Sequence, residues 1–207
     1  MLKRRLRHLL LCAGVLTLAG CLAQSPKLGE EKVVERSGKK GGWVDAREDS
    51  FKKKNGIFYR GMVKGVQDLT LGRRQAEADA RKKIVESILL LIQTEYRDSA
   101  IGSNLSPLDV GKHVEDAVAW SSGRLNLSGV QTVESYWEKV STVTYGGVEY
   151  SYNCYALVRI EEGDYARARV EAMNKIAEQA RAESNRAAEE AAAGLKSRLE
   201  DEEQARP

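Results

Sequence analysis

Apolar and polar positions follow three patterns along this chain, and each pattern predicts a different kind of element. Residues Leu9–Ala19 form a short apolar run that directly follows a basic start. Between Leu71 and Arg97, apolar residues recur every three or four positions, which is typical of one face of a helix. Residues 57–66 and 125–160 are rich in β-branched and aromatic residues and alternate with polar ones, which is typical of strands.

The long helical pattern predicts a helix from about Leu71 to Arg97. Its inward face is marked by residues spaced four, four, four and three apart: Ala76, Ala80, Ile84, Ile88 and Leu91. The small alanines at its start allow close packing on a sheet. The stretch Ile88–Ile92 is apolar nearly all round, which predicts that it is deeply buried or contacts a partner.

Three strands are predicted, one before the helical region and two after it. Residues 57–66 form the first, with glycines where another backbone can approach closely. Residues 125–140 and 142–160 form the other two, and Gly146-Gly147 interrupts the second of these runs. A glycine pair between strand-like runs is typical of a hairpin, so we expect these two strands to pair antiparallel.

Two further helices complete the predicted fold. Ser106-Pro107 suits the start of a second helix, because serine caps free N–H groups and proline fits the first helical position. This helix ends near Gly123, and a third runs from about 164 to 205, with a docked first half and a second half that projects, frays or pairs with another helix. The order predicts an α+β fold: a small three-stranded antiparallel sheet packed against helices, with a long C-terminal helix.

The beginning of the chain has the pattern of an export signal. A basic start, a short apolar run and the small residues before Cys21 are typical of a secretory signal peptide, and the run is too short for a permanent membrane span. Leu18-Ala19-Gly20-Cys21 resembles the lipobox of bacterial lipoproteins, which implies lipidation of Cys21, cleavage before it, and a fatty acid such as palmitate on the new amino terminus. An ordinary secretory signal and an uncut anchor are the alternatives. Leu22, rather than aspartate, favours the outer membrane by the sorting rule of enteric bacteria.

Removal of the signal peptide changes the charge of the chain. Four of the 33 basic side chains lie in residues 1–20, so 29 remain against 30 acidic ones and the net charge falls from +3 to −1. This balance offers no basic field for nucleic acid. The remaining length suits one domain. We divide the chain into a signal peptide (1–20), a flexible tether (21–42), an α+β domain (43–175) and a charged, alanine-rich helical tail (176–207).

Residues that could carry catalysis or bind metal are few. Cys154 is the one cysteine left beyond Cys21, so no disulfide can form within the mature chain. Its apolar neighbours predict a core position. His8 belongs to the signal peptide and His113 to the second helix, and no Cys/His cluster suits zinc. Glu161-Glu162 could act as an acid/base pair, although such a pair more often starts a helix. We therefore predict no catalytic residue, metal or cofactor, with an enzyme using Cys154 or Glu161-Glu162 as the minor alternative.

Six aromatic residues are concentrated in the predicted hairpin, and two interpretations remain open. They could pack across the strands under the helices. Alternatively, Trp137 and Tyr155 could form an exposed surface that binds another protein. A third possibility is that the Ile88–Ile92 stretch and the hairpin aromatics line a pocket for a lipid or glycan.

Short motifs within residues 43–175 resemble the LPP20 family of bacterial lipoproteins and the related N-terminal domain of flagellar accessory proteins of the FlgT kind. They are Trp43-Val44, Phe58-Tyr59-Arg60-Gly61-Met62-Val63, Ala76-Glu77-Ala78-Asp79-Ala80-Arg81, Trp137 and Tyr155-Ala156-Leu157-Val158-Arg159-Ile160. The resemblance implies a small α+β domain used in surface, flagellar or other envelope assemblies. It implies no enzyme activity and carries no site residues.

These observations predict a non-catalytic lipoprotein of the bacterial cell envelope, held by the lipid on Cys21 and facing the periplasm from the outer membrane. Its expected partners are the membrane and other envelope proteins, not nucleic acid. A periplasmic carrier of a lipid or glycan is the alternative.

Overall fold

The computed structural model describes residues 27–100, 127–182, 193–198 and 200–201. The elements in chain order are β1 (Glu31–Arg36), a short 3₁₀ helix (Gly42–Asp45), β2 (Ser50–Lys53), β3 (Gly56–Val66), α1 (Leu69–Ala100), β4 (Gln131–Thr144), β5 (Gly147–Glu161) and α2 (Glu162–Ala182). The predicted helix at 106–123 lies outside the described residues.

The five strands form one antiparallel sheet in the order β1-β4-β5-β3-β2. The predicted α+β class is therefore correct, but the predicted three-stranded sheet is wrong. The two additional strands are the edges, and β1 lies inside residues 21–42, which we predicted to be a flexible tether. Both edge strands are short and charged, as edges that resist aggregation usually are. They are held by pairing with β4 and β3, which their own composition does not reveal.

The predicted hairpin is confirmed by β4 and β5. Thr144 pairs with Gly147, which leaves Tyr145 and Gly146 as a two-residue connection. Gly147 has a φ of +125°, a backbone conformation that residues with a side chain rarely adopt, so glycine suits the turn. The strands of this hairpin are 14 and 15 residues long, well above the usual five or six.

The helix α1 lies directly on β3, and its small residues make that approach possible. Gly61 faces the α1 backbone at Ala76 and Ala80, both of which are fully buried. The predicted long helix and its close-packing alanines are thus confirmed. Farther along α1, the alanines give way to isoleucines that fill the space between the helix, the sheet and α2.

The main core lies on the helix side of the sheet. Ile84, Ile88 and Ile92 of α1 are fully buried and belong to one cluster with Val158 and Met173. Each such side chain contributes about 1.5–3 kcal/mol through the apolar surface it removes from water. The inward side of the Ile88–Ile92 stretch is therefore structural.

The opposite face of the sheet is covered in its middle by the 3₁₀ helix. Val44 packs against Tyr136 and Tyr155, and all three are buried, with Trp43 beside them. The centre of β5 is consequently buried on both faces, from Cys154 to Val158. A simple alternation of buried and exposed positions does not describe this strand.

Beyond its short pairing with β2, the edge of β3 is capped by side chains of α1. The Met62 amide donates to Asp79 Oδ2 at 3.0 Å, and Lys83 Nζ donates to the Arg60 carbonyl at 3.0 Å. An open edge could pair with another chain. The charged side chains of α1 occupy two of these backbone groups instead.

The predicted tail at 176–207 is partly integrated into the fold. The helix α2 continues to Ala182, and residues 193–198 are also helical. Leu195 is only 2% exposed and belongs to the main core cluster. This leucine therefore packs on the domain, and of the three alternatives for the second half of the tail, projection and fraying do not describe this position.

Candidate functional site

The β4–β5 hairpin extends beyond the helix that covers its base. The first turn of α1 lies over Cys154, where Gly72 faces the Cys154 sulfur. From there β5 continues for seven residues to its first residue, Gly147. Among the described residues, α1 therefore covers the lower part of the hairpin and leaves the outer part accessible.

One face of this outer part carries what we call the aromatic platform, formed by Trp137, Lys139, Tyr150 and Tyr152. Lys139 pairs with Tyr152 in the strand register, so their side chains share a face. The Trp137 and Tyr152 rings meet edge to face, with centroids 5.8 Å apart. Lys139 Nζ lies 5.1 Å from the centre of the Tyr150 ring and 6.0 Å from that of Tyr152. These distances suit cation–π attraction.

The platform is both ordered and accessible. Trp137 and Tyr152 are half-buried against the start of α1, whereas 51% of Tyr150 is exposed. Aromatic side chains held in this way offer a large contact area at a small entropic cost, which is why they dominate protein interfaces. The Lys139 ammonium adds a positive charge, so the platform suits a segment with apolar side chains and an acidic group.

The structure separates the two residues that we predicted to form a partner-binding surface. Trp137 pairs with Cys154 on the helix side, whereas Tyr155 pairs with Tyr136 on the opposite face. Tyr155 is only 8% exposed and packs beside Val44. Its burial raises the pKa of its hydroxyl. The assignment of Tyr155 to an exposed surface was therefore wrong.

A buried polar cluster beneath the 3₁₀ helix was not predicted. Glu138 is only 7% exposed and accepts a hydrogen bond of 2.9 Å from the Tyr136 hydroxyl. Lys40 Nζ lies 3.7 Å from Glu138 and 2.7 Å from Asp45. Burial, together with the bond to Glu138, raises the pKa of Tyr136. These contacts attach the segment that contains the 3₁₀ helix to the sheet. In the sequence, the feature that could have indicated this cluster is Glu138, a glutamate at an inward position of a strand.

The candidate catalytic groups are engaged in structural contacts. Cys154 is fully buried, and burial raises the pKa of its thiol, which disfavours the reactive thiolate. His113 lies outside the described residues. Glu161 pairs with Arg159 at 2.7 Å, and Glu162 lies 3.5 Å from Lys52. Within residues 27–100 and 127–182, no group of three or more metal-binding side chains is present.

An open cleft of about 400 Å³ lies at the opposite end of the domain from the hairpin turn. It is bounded by the β2–β3 region and by both helices, and its lining includes Phe51, Ile57, Leu91, Tyr165 and Arg169. Leu91 is the only member of the Ile88–Ile92 stretch among the residues that line it. The hairpin aromatics do not line it, so this cleft is not the pocket that we considered between them and the Ile88–Ile92 stretch.

Comparison with known proteins assigns this chain to no family. No protein-family model matches the chain, and no curated protein or solved structure is significantly similar to it. In the parts of the chain that the structure describes, no helix has the length and apolar character needed to cross a bilayer.

Proposed function

We propose that this chain is a non-catalytic lipoprotein of the bacterial envelope, anchored through Cys21, whose domain binds another protein through the aromatic platform. The observation that carries the binding role is the exposed outer hairpin, where ordered aromatic rings surround a lysine. The expected partner presents apolar side chains and an acidic group. The short motifs that resemble LPP20-type lipoproteins support a role in envelope assemblies, and Leu22 favours the outer membrane.

The anchor rests on the chemistry of the signal sequence. Each buried CH₂ group contributes about 0.8 kcal/mol to membrane binding, so one fatty chain binds marginally while two or three hold a protein stably. Lipidation at Cys21 would thus keep the domain at the membrane without a spanning helix. The near-neutral charge of the mature chain supports binding to protein rather than to nucleic acid.

Substitution of Cys21 tests the anchor. We expect protein isolated from its native membrane to have the mass of a chain that begins at Cys21 and carries acyl groups. The Cys21→Ser variant should lose those acyl groups and leave the membrane fraction, because serine cannot form the thioether. Intact mass spectrometry of both proteins measures this. An unmodified mass for the native protein would contradict the anchor.

Site-specific crosslinking tests the aromatic platform in the intact envelope. We expect a photoreactive phenylalanine derivative at Tyr150 to form a protein adduct that Lys139→Glu abolishes, because the charge reversal repels an acidic partner. The captured protein, identified and purified, should bind Trp137→Ser and Lys139→Glu about ten-fold more weakly than the native domain, which equals about 1.4 kcal/mol. Calorimetry measures the dissociation constants.

Leu90 provides the matched control for the crosslinking experiment. It is an exposed apolar residue, 64% accessible, on α1 and outside the platform. The photoreactive residue at Leu90 should not give the same adduct, and Leu90→Ser should bind the partner with native affinity. Because Trp137 is half-buried, Lys139→Glu tests the surface independently of packing. Equal affinity for all variants would refute the platform as the binding site.

A further inference from the structure

The turn of the hairpin carries a second exposed apolar group, which we call the hairpin tip: Leu28, Tyr145 and Val148. Their exposed fractions are 51%, 96% and 55%. Leu28 reaches the tip because the chain enters the sheet there: the Gly29 amide donates to the Val143 carbonyl at 2.8 Å. The entering strand and the hairpin turn therefore lie at the same end of the sheet.

This end is also the one nearest to the proposed lipid. Leu28 is seven residue steps along the chain from Cys21. A fully extended chain spans at most about 3.3–3.6 Å per residue, so Leu28 lies within roughly 25 Å of the lipidated residue in any conformation. The tip is thus confined to the neighbourhood of the bilayer.

The length of the sheet excludes the inverted orientation. Asn55 lies in the β2–β3 turn, and the adjacent Gly56 pairs with Glu161 at the far end of β5 from the tip. Fourteen residue steps along β5, at about 3.3 Å each, separate the two ends by roughly 45 Å. With the Asn55 end against the membrane, Leu28 would be farther away than its connection to Cys21 permits.

The chemistry of the tip suits the membrane–water interface. Tyrosine is enriched there because its ring is apolar and its hydroxyl is polar. The charged residues near the tip are of both signs, so no strong field attracts or repels the surface: Lys27, Glu30, Glu31, Lys32 and Glu149. Contact between the hairpin tip and the bilayer should therefore depend on the apolar side chains of the tip rather than on anionic lipids.

From this arrangement we propose that the hairpin tip rests on the bilayer surface that holds the lipid anchor, with Leu28, Tyr145 and Val148 in contact with the interface. The long axis of the sheet then stands away from the membrane, and the aromatic platform is presented a short distance above it. This inference rests on the proposed anchor at Cys21, but it does not require the platform to bind a protein.

Fluorescence of a label beside the tip tests the proposal. Gly146→Cys leaves Tyr145 and Val148 in place, and an added Cβ there makes only an ordinary contact with Thr144, at 3.8 Å. The lipidated full chain is labelled with a polarity-sensitive fluorophore and reconstituted into phosphatidylcholine vesicles. We expect emission at shorter wavelength than from the unlipidated Cys21→Ser chain with the same label in detergent-free solution, and strong quenching by lipids that carry a headgroup quencher.

Asn55→Cys is the matched control, because Asn55 is exposed in the turn at the other end of the sheet. Its label should keep the emission of a water-exposed group and be quenched several-fold less. Cys154 is fully buried and should not be labelled. The lipidated chain without an introduced cysteine, treated with the same fluorophore, verifies this. Combining Tyr145→Ser and Val148→Ser with Gly146→Cys should remove the spectral shift while the acylated mass is retained.

The possible results separate this proposal from the anchor. Equal, water-like emission from positions 146 and 55 in protein with an acylated mass would overturn the tip contact and leave the anchor intact. Strong quenching at both positions would also overturn it, because the domain would then lie flat. A chain from the native membrane that lacks acyl groups would refute the anchor and remove the basis of the tip contact, and that result appears in the mass rather than in the fluorescence.

Discussion

The Gly61→Ala substitution is expected to lower the free energy of unfolding by about 3–4 kcal/mol, a large effect for the addition of one methyl group. A Cβ at Gly61 would overlap the Ala76 carbonyl oxygen and lie 2.5 Å from the Ala80 amide nitrogen. Both are main-chain atoms of α1. They cannot move aside as a flexible side chain would, so the helix must shift away from the sheet.

Such a shift would affect much of the core. The isoleucines farther along α1 fill the space above β3 and β5, and separation of helix and sheet by even part of an ångström weakens their contacts. Because a domain of this size has a total stability of only about 5–15 kcal/mol, Gly61→Val should prevent stable folding.

Urea denaturation followed by far-UV circular dichroism measures the expected loss for Gly61→Ala. Gly42→Ala is the matched control, because a Cβ at Gly42 meets nothing within 4 Å. That variant should remain within about 0.5 kcal/mol of the native protein, as substitutions without contacts usually do. A loss of less than about 1 kcal/mol for Gly61→Ala would show that α1 can retreat without cost.

The second large effect is expected at Arg60, where replacement by methionine should cost about 2–4 kcal/mol. Nη1 of the Arg60 guanidinium donates to the carbonyl oxygens of Val44 and Ala46, and Nη2 donates to Asp49 Oδ1 at 3.0 Å. The side chain is only 11% exposed. Methionine has a similar length but no donors, so the two carbonyls and the carboxylate lose these partners.

This loss should be concentrated in the segment that covers the far face of the sheet. Hydrogen exchange of residues 42–49 should become faster in Arg60→Met, while exchange in the middle of α1 should change little. Arg60→Lys should have an intermediate effect, because a single ammonium cannot reproduce the planar fork of donors. Arg74→Met, at an exposed position of α1, controls for the loss of one positive charge. Unchanged exchange in residues 42–49 would refute this role of Arg60.

The pH dependence of the Arg60→Met effect follows from Asp49. Its hydrogen bond with Arg60, supported by Lys83, lowers the pKa of Asp49 below the ordinary value of 3.8. A carboxyl whose pKa is lower in the folded state stabilises the protein above its unfolded pKa, and this contribution disappears as the pH falls through the folded value. The difference in stability between native protein and Arg60→Met should therefore decrease below about pH 4. NMR titration of Asp49 should show a higher pKa in the variant.

Several elements could be predicted because their local patterns agree with their tertiary environment. The predicted period of α1 matches its buried face from Ala76 to Ile88, whereas Ile92 rather than Leu91 is the buried residue of the next turn. The glycine pair lies at the hairpin turn. The edge strands could not be found in this way. A charged segment such as Glu31–Arg36 has no strand pattern of its own, and it becomes a strand because β4 supplies hydrogen-bond partners along its length.

The candidate site was predicted only in part for a related reason. Aromatic residues concentrated in the hairpin allowed a surface group of rings, and Trp137 lies in the aromatic platform beside Tyr152. Tyr155 was assigned wrongly because alternation assumes one buried face, whereas the 3₁₀ helix covers the second face at that point. Lys139 was missed, because its role depends on Tyr150 and Tyr152 of the neighbouring strand.

The sequence by itself determined the α+β class, the long helix with its small residues and the turn of the hairpin, because these depend on neighbours that are close along the chain. It also supports the expectation of a lipid on Cys21, since a processing signal is read as a linear string. Only the tertiary structure decided the five-stranded order, the burial of Tyr155 and the position of Leu28 at the same end of the sheet as Tyr145. Those features depend on strand register and on contacts between residues about a hundred positions apart, which no local pattern specifies.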